Sequence, residues 1–220
     1  MPTKTTNKNF FKIKANENNI EIIIYEDIWE GYEDKYLLRT LLANKGKNVD
    51  VYINSYGGDA LGGYAMYASL IRHDGKITVY IDGHADSAAS VIAMAGSERL
   101  IAEGGSIMIH DAWTYAVGNA AKLRKRADDA ERISNVMAEV YEANSNLDLK
   151  TVKKMMQDET TFTAEEALEH GFVTGMQEKV AIAAKAGDFF KANGKCPWEQ
   201  HMFPKRKLKL LETYKISQDI

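Results

Sequence analysis

The chain has 220 residues, 45% hydrophobic and 27% charged, with a net charge of −3, enough for one globular domain with a sizeable core. The mild acidity and a pI near 6.0 argue against nucleic acid or an anionic membrane surface as a partner. One cysteine, Cys196, excludes an intrachain disulfide and fits a cytoplasmic location, and no apolar core of a signal peptide is read in the lysine-containing N-terminus.

Residues 1–19 are polar and asparagine-rich and read as a flexible arm. The β-branched run at 20–28 predicts a strand. Leu37, Leu38, Leu41 and Leu42 recur at helical spacing, with Gly46 as the stop. A strand at 49–55 follows, then a helix capped by Asp59, then a strand at 77–83. Residues 87–96 form a helix of very small side chains ended by Gly96, and two short strands flank Gly104-Gly105. Alternation of strand and helix predicts an α/β fold with a largely parallel sheet, and the apolar strands predict helices on both of its faces.

From Asn119 to Asn144 there is neither Gly nor Pro. Leu123, Ala127, Ala130, Met137 and Tyr141 mark one stripe, with Ile133 beside it, opposite a charged side. This predicts a single projecting helix, long for a domain of this size, whose stripe must be covered by something. A helix at LKTVKKMM comes next, then a capping-box pattern at Thr163 opening a short helix that ends at Gly171. Residues 181–220 read as a C-terminal extension with a basic, amphipathic end.

Three segments could carry chemistry. In residues 83–96 a strand runs into the small-residue helix, and Ser87 stands at the junction, where free N–H groups favour negative charge. Taken alone, Ser87 is an ordinary N-cap; Ser90 is a rival nucleophile one turn inside the helix. His110 ends the strand at 106–110 and is a candidate general base. His84, three residues before Ser87, is its rival, while His73 and His170 read as last-turn helix residues. Gly57-Gly58 joins strand to helix, either as a plain tight turn or as a backbone N–H aimed at an oxyanion. No phosphate-loop pattern and no metal-ligand spacing is present.

The ordered series INSYGGDALGG, GHADSAASVIAMAG, SIMIH and ETTFTAEEALEHGFV, spanning about residues 20–176, resembles the proteolytic subunit of Clp protease, most of all its phage-encoded head-maturation branch. The resemblance implies a Clp-protease or crotonase-like fold with a long handle helix and a domain over 20–180. It implies Ser87 as nucleophile, His110 as base, Glu159 (or the adjacent Asp158) as the acid, and Gly58 and Ala88 N–H groups as the oxyanion hole. It implies a serine endopeptidase that needs no cofactor or metal, assembled as stacked heptameric rings. Its partners would be protein or peptide substrates, an ATP-driven unfoldase, or capsid and scaffold proteins.

Two departures stand out. Tyr56 takes the place of a family proline, which predicts a looser turn around Gly58. Asp86 takes the place of a small apolar residue, so a carboxylate either raises the cost of the oxyanion, points to solvent or caps the helix. Asp86, together with a glutamate at 159 where the family has an aspartate, is the only support for the alternative of a Clp-like assembly protein with weak or no turnover. A crotonase-like acyl-CoA enzyme would share the fold but needs no Ser–His pair.

Overall fold

In the computed structural model, residues 11–29 and 33–178 are described. One compact unit closes at Glu178, and the expected extension at 181–220 lies outside the described residues. Eight strands form one sheet. They are β1 (Phe11–Ala15), β2 (Asn19–Ile24), β3 (Asn48–Ser55), β4 (Ile77–Asp86), β5 (Glu98–Ile101), β6 (Ser106–Ile109), β7 (Thr160–Thr163) and β8 (Gly175–Met176). The main path runs β1-β2-β3-β4-β5-β8, and β6 pairs with both β4 and β7. Every pairing is parallel except β1 with β2 and β6 with β7. The expected largely parallel α/β fold is the one observed.

The arm expected over 1–19 contains structure: Phe11–Ala15 pair antiparallel with β2. The strand expected at 20–28 stops at Ile24, and Ile28 rejoins only as a single bridge to Gly58. The expectation of helices on both faces fails. Burial alternates along β2 and β3, so one face carries the core residues Ile20, Ile22, Val49, Val51 and Ile53. The other face holds Tyr52 stacked on Tyr80, ring centroids 4.9 Å apart. Tyrosines tolerate a half-wet surface because each has an apolar body and a polar tip.

Six helices complete the described residues: α1 (Glu33–Ala43), α2 (Ala60–Ile71), α3 (Ala88–Ala93), α4 (Ala120–Ala143), α5 (Leu149–Gln157) and α6 (Ala164–Glu169). Asp59 caps α2 by accepting from the Gly62 N–H, and the capping box at Thr163 and Glu166 opens α6. None is long and apolar enough to cross a membrane among the described residues.

The stripe of α4 divides in two. Met137 and Tyr141 are buried in the domain's own core, whereas Leu123 and Ala127 are exposed. The expectation that the whole stripe awaits a partner is therefore corrected: only the N-terminal half lacks cover. Arg99 locks the far end of α4. Its guanidinium donates to the carbonyls of Gly96, Asn144, Gly171 and Phe172 at 2.8–3.0 Å. Burial lowers its pKa, yet a guanidinium remains charged and satisfies carbonyls that chain ends leave unpaired.

Candidate active site

Ladder register assembles the site from three directions. In the parallel pair β4–β6, Asp86 lies opposite Met108, so the next residue, Ser87, comes beside the end of β6. The Ser87 N–H donates to the Met108 carbonyl at 2.8 Å. In the antiparallel pair β6–β7, Ile109 faces Thr160. Extending that ladder by one residue sets His110 opposite Glu159. In β3–β4, Ser55 pairs with Ala85, which carries Gly57 towards Ser87.

Ser87 has φ 55° and ψ −124°, a backbone conformation that costs a non-glycine residue on the order of 1–3 kcal/mol. Although it occupies the N-cap position of α3, its side chain makes no capping bond. The Oγ instead lies 2.7 Å from His110 Nε2, so the plain N-cap reading does not hold. Such a strained strand-to-helix turn lifts a hydroxyl clear of both elements.

Glycine is required twice beside it. A Cβ on Gly57 would fall 2.5 Å from the Asp86 carbonyl oxygen and 2.8 Å from Ser87 Cβ. Gly58 has φ 139°, and a Cβ there would fall 2.2 Å from the Ile28 carbonyl oxygen. The bridge to Ile28 uses the Gly57 carbonyl and the Asp59 N–H, at 2.7 and 2.8 Å. In a parallel bridge the flanked residue points its own N–H the other way, so the Gly58 N–H faces away from Ile28. The Ala88 N–H opens α3 and has no intrahelical partner. Neither N–H donates to an acceptor among the described residues.

Ser87, His110, Gly58 and Glu159 line one cleft of about 1030 Å³. Glu159 has φ 51°; no hydrogen bond joins it to His110 in this structure. Asp158 does not line the cleft and pairs with Lys154 on the exposed side, 2.6 Å from its Nζ. Ser90 is fully buried, donating to the Ser87 carbonyl at 2.6 Å and meeting the Tyr141 hydroxyl at 2.8 Å. It has no access to the cleft. With the Ser90 proton committed to the Ser87 carbonyl, the Tyr141 hydroxyl is the donor to Ser90, and burial raises its pKa well above the ordinary value.

Two of the three readings of Asp86 fail. Asp86 neither points to solvent nor caps α3. Its side chain is 14% exposed and lies 3.5 Å from His84 Nδ1. Burial raises its carboxyl above the ordinary carboxylate range, against the lowering influence of His84, and its Oδ1 is buried without a partner. An orphaned buried oxygen of this kind costs about 1–3 kcal/mol. His84, the rival base, makes no hydrogen bond with Ser87. Tyr56 is exposed, with one face of its ring against His84. His73 falls just past α2, with its Nε2 2.8 Å from the Lys47 carbonyl, and His170 is the C-cap of α6.

Sequence reasoning missed the cleft walls. Trp29 and Trp113 stand at its edge and Ile133, Met137 and Tyr141 of α4 form one side. The only available signal was the α4 stripe, which reads as interface or as core with equal ease.

The Clp protease family profile matches residues 8–180. The chain is 27% identical over 134 residues to the ATP-dependent Clp protease proteolytic subunit of Ligilactobacillus salivarius (strain UCC118), covering 60% of this chain and 68% of that protein. It is 29% identical over 139 residues to the ATP-dependent Clp protease proteolytic subunit of Porphyromonas gingivalis (strain ATCC BAA-308 / W83), covering 62% of this chain and 63% of that protein. A fold of parallel strands, a profile match over most of its length and these relatives agree: the chain belongs to the Clp protease family of serine-type peptidases.

Proposed function

We propose that this chain is a serine endopeptidase in which Ser87 attacks the peptide carbonyl and His110 handles the proton. The observation that carries this is the 2.7 Å contact between Ser87 Oγ and His110 Nε2, on a strained serine flanked by two free N–H groups. The Ser87 proton passes to His110 Nε2 as Oγ bonds the carbonyl carbon. The Gly58 and Ala88 N–H groups donate to the resulting oxyanion. His110 then gives the proton to the departing amine, and water repeats the cycle on the acyl-enzyme. Glu159, set opposite by the β6–β7 ladder, accepts from His110 Nδ1–H once its side chain turns in, and holds the imidazole in the needed tautomer. The apolar wall of Ile133, Met137 and Tyr141 favours an apolar side chain at the cleaved bond.

A fluorophosphonate probe on the purified chain tests the reading. Peptide mapping is expected to find the adduct on Ser87 alone. An adduct on Ser90 overturns it in favour of the rival nucleophile, and none on any serine overturns it in favour of the assembly protein without turnover.

The motif series supports the finer placement in the head-maturation branch, which makes capsid and scaffold proteins candidate substrates beside polypeptides delivered by an unfoldase. Rings are proposed too, on the motif series; their stacking face to face has a physical reason, because the uncovered half of α4 presents Leu123 and Ala127 to solvent, and a self-complementary contact across a two-fold would bury both copies. Light scattering at micromolar concentration should give a mass several times 24.6 kDa. The double change Leu123→Glu, Ala127→Glu should divide the assembly without unfolding it, since both positions are exposed within the subunit. A monomer that persists at high concentration refutes assembly.

A further inference from the structure

Two residues of β4 and one from the Gly57–Gly58 turn come together beside the nucleophile. His84 and Asp86 alternate on β4 and so share one face. The ring of Tyr56 lies on that of His84, centroids 4.0 Å apart and tilted by 38°. His84 Nδ1 is 3.5 Å from Asp86 Oδ2, and the His84 N–H donates to Asn54 Oδ1 at 3.3 Å. Tyr56 is 72% exposed, and the His84 ring is the aromatic surface it packs on among the described residues.

The turn depends on what lies on its two sides. It holds two consecutive glycines, the most permissive backbone possible, with no proline before them to fix φ. Ile28 grips one side through two hydrogen bonds. The other side lies flush against Asp86, Ser87 and Ala88, leaving no room for even a methyl group on Gly57. Tyr56 is the first residue of the turn, and its ring is tied by His84 to the strand that ends in the nucleophile.

We propose that Tyr56, His84 and Asp86 form a brace that holds the Gly57–Gly58 turn in register with Ser87 and thereby aims the Gly58 N–H at the developing oxyanion. All three are positioning residues; none touches the reacting atoms. The inference rests on Gly58 being an oxyanion donor. Loss of one donor typically costs a hundredfold or more in turnover, so a donor left in place but loosely aimed should cost about tenfold.

A merely structural cluster would lose stability and activity together, and the Asp86 carboxylate separates the two readings. Its raised pKa means that the folded chain binds protons more tightly than the unfolded one. Stability therefore falls as pH rises through the folded-state pKa, and at neutral pH the buried charge opposes folding. Asp86→Ala is expected to raise the melting temperature at pH 7, with the gain shrinking as pH falls and the carboxyl becomes protonated in both states. The same variant is expected to lower kcat about tenfold with KM within twofold. Tyr56→Ala should lower kcat similarly, and Tyr56→Phe, which keeps the ring, should restore it. The Tyr56→Ala, Asp86→Ala double variant should be no worse than either single change, because one brace is broken only once.

Unchanged kcat in Tyr56→Ala overturns the brace. So does a hundredfold loss in the double variant, a KM effect without a kcat effect, or an Asp86→Ala variant that loses stability and activity in parallel. Failure of the peptidase reading itself looks different, because the parent chain would then neither cleave peptides nor take the probe at Ser87.

Discussion

Ser87→Ala is expected to lower peptide turnover by about a millionfold, the usual consequence of deleting a nucleophile from a Ser–His unit. The substitution is clean in this structure. Ser87 Oγ makes no capping bond to α3 and bonds only His110, so alanine removes the reacting atom while keeping Cβ and the strained backbone. The melting temperature should move by no more than a few degrees, and circular dichroism should be unchanged. Residual rate above the uncatalysed reaction would come from the Gly58 and Ala88 donors and from substrate positioning, which together can retain about a thousandfold. A fluorogenic peptide with an apolar residue before the cleaved bond suits the measurement. Retention of more than about 1% of the parent kcat would remove Ser87 from the mechanism.

The second large effect belongs to Glu159. Glu159→Gln is expected to cost about ten-thousandfold in kcat, since a neutral partner no longer selects the tautomer or stabilises the imidazolium. Asp158→Asn should change kcat less than twofold. Sequence alone leaves the two neighbours open; the ladder favours Glu159, because Ile109 faces Thr160 and the next pair outward would be His110 with Glu159. Asp158 is spent on Lys154 at the surface, an exposed ion pair of the kind worth at most about 1 kcal/mol. Both variants should be compared in one assay at saturating peptide. If Asp158→Asn is the damaging change, the strand register assigned here is wrong by one residue.

Much of this molecule is legible in its sequence, for identifiable reasons. Strands β3 and β4 and helix α2 announce themselves because periodicity and end signals agree: VDVYINS is apolar and β-branched, and Asp59 is a cap with a helix after it. Ser87, His110 and the glycine pair are legible as a constellation because the resemblance fixes their order, although each alone has an ordinary explanation. Strands β7 and β8 are invisible: four and two residues long, they are defined by their partners β6 and β5 rather than by any pattern of their own. The wet face of the sheet was misjudged because tyrosines read as core in an apolar run. The grouping of Tyr56, His84 and Asp86 is equally hidden. It depends on the irregular register between Ile53 and Ser55, which decides which side chains of β3 meet those of β4.

Ser90, discounted as a nucleophile, acquires a different meaning from its two hydrogen bonds. The Ser87 carbonyl to which its hydroxyl donates shares a rigid peptide plane with the Ala88 N–H. Pinning one edge of that plane sets the azimuth of the other. The Ser90 Oγ, its single proton thus committed, accepts a hydrogen bond from the hydroxyl of Tyr141, a residue of α4 that also lines the cleft. Tyr141 is therefore two hydrogen bonds and one peptide plane away from the Ala88 N–H. The same chain of contacts ties the long helix to the strained turn that carries Ser87.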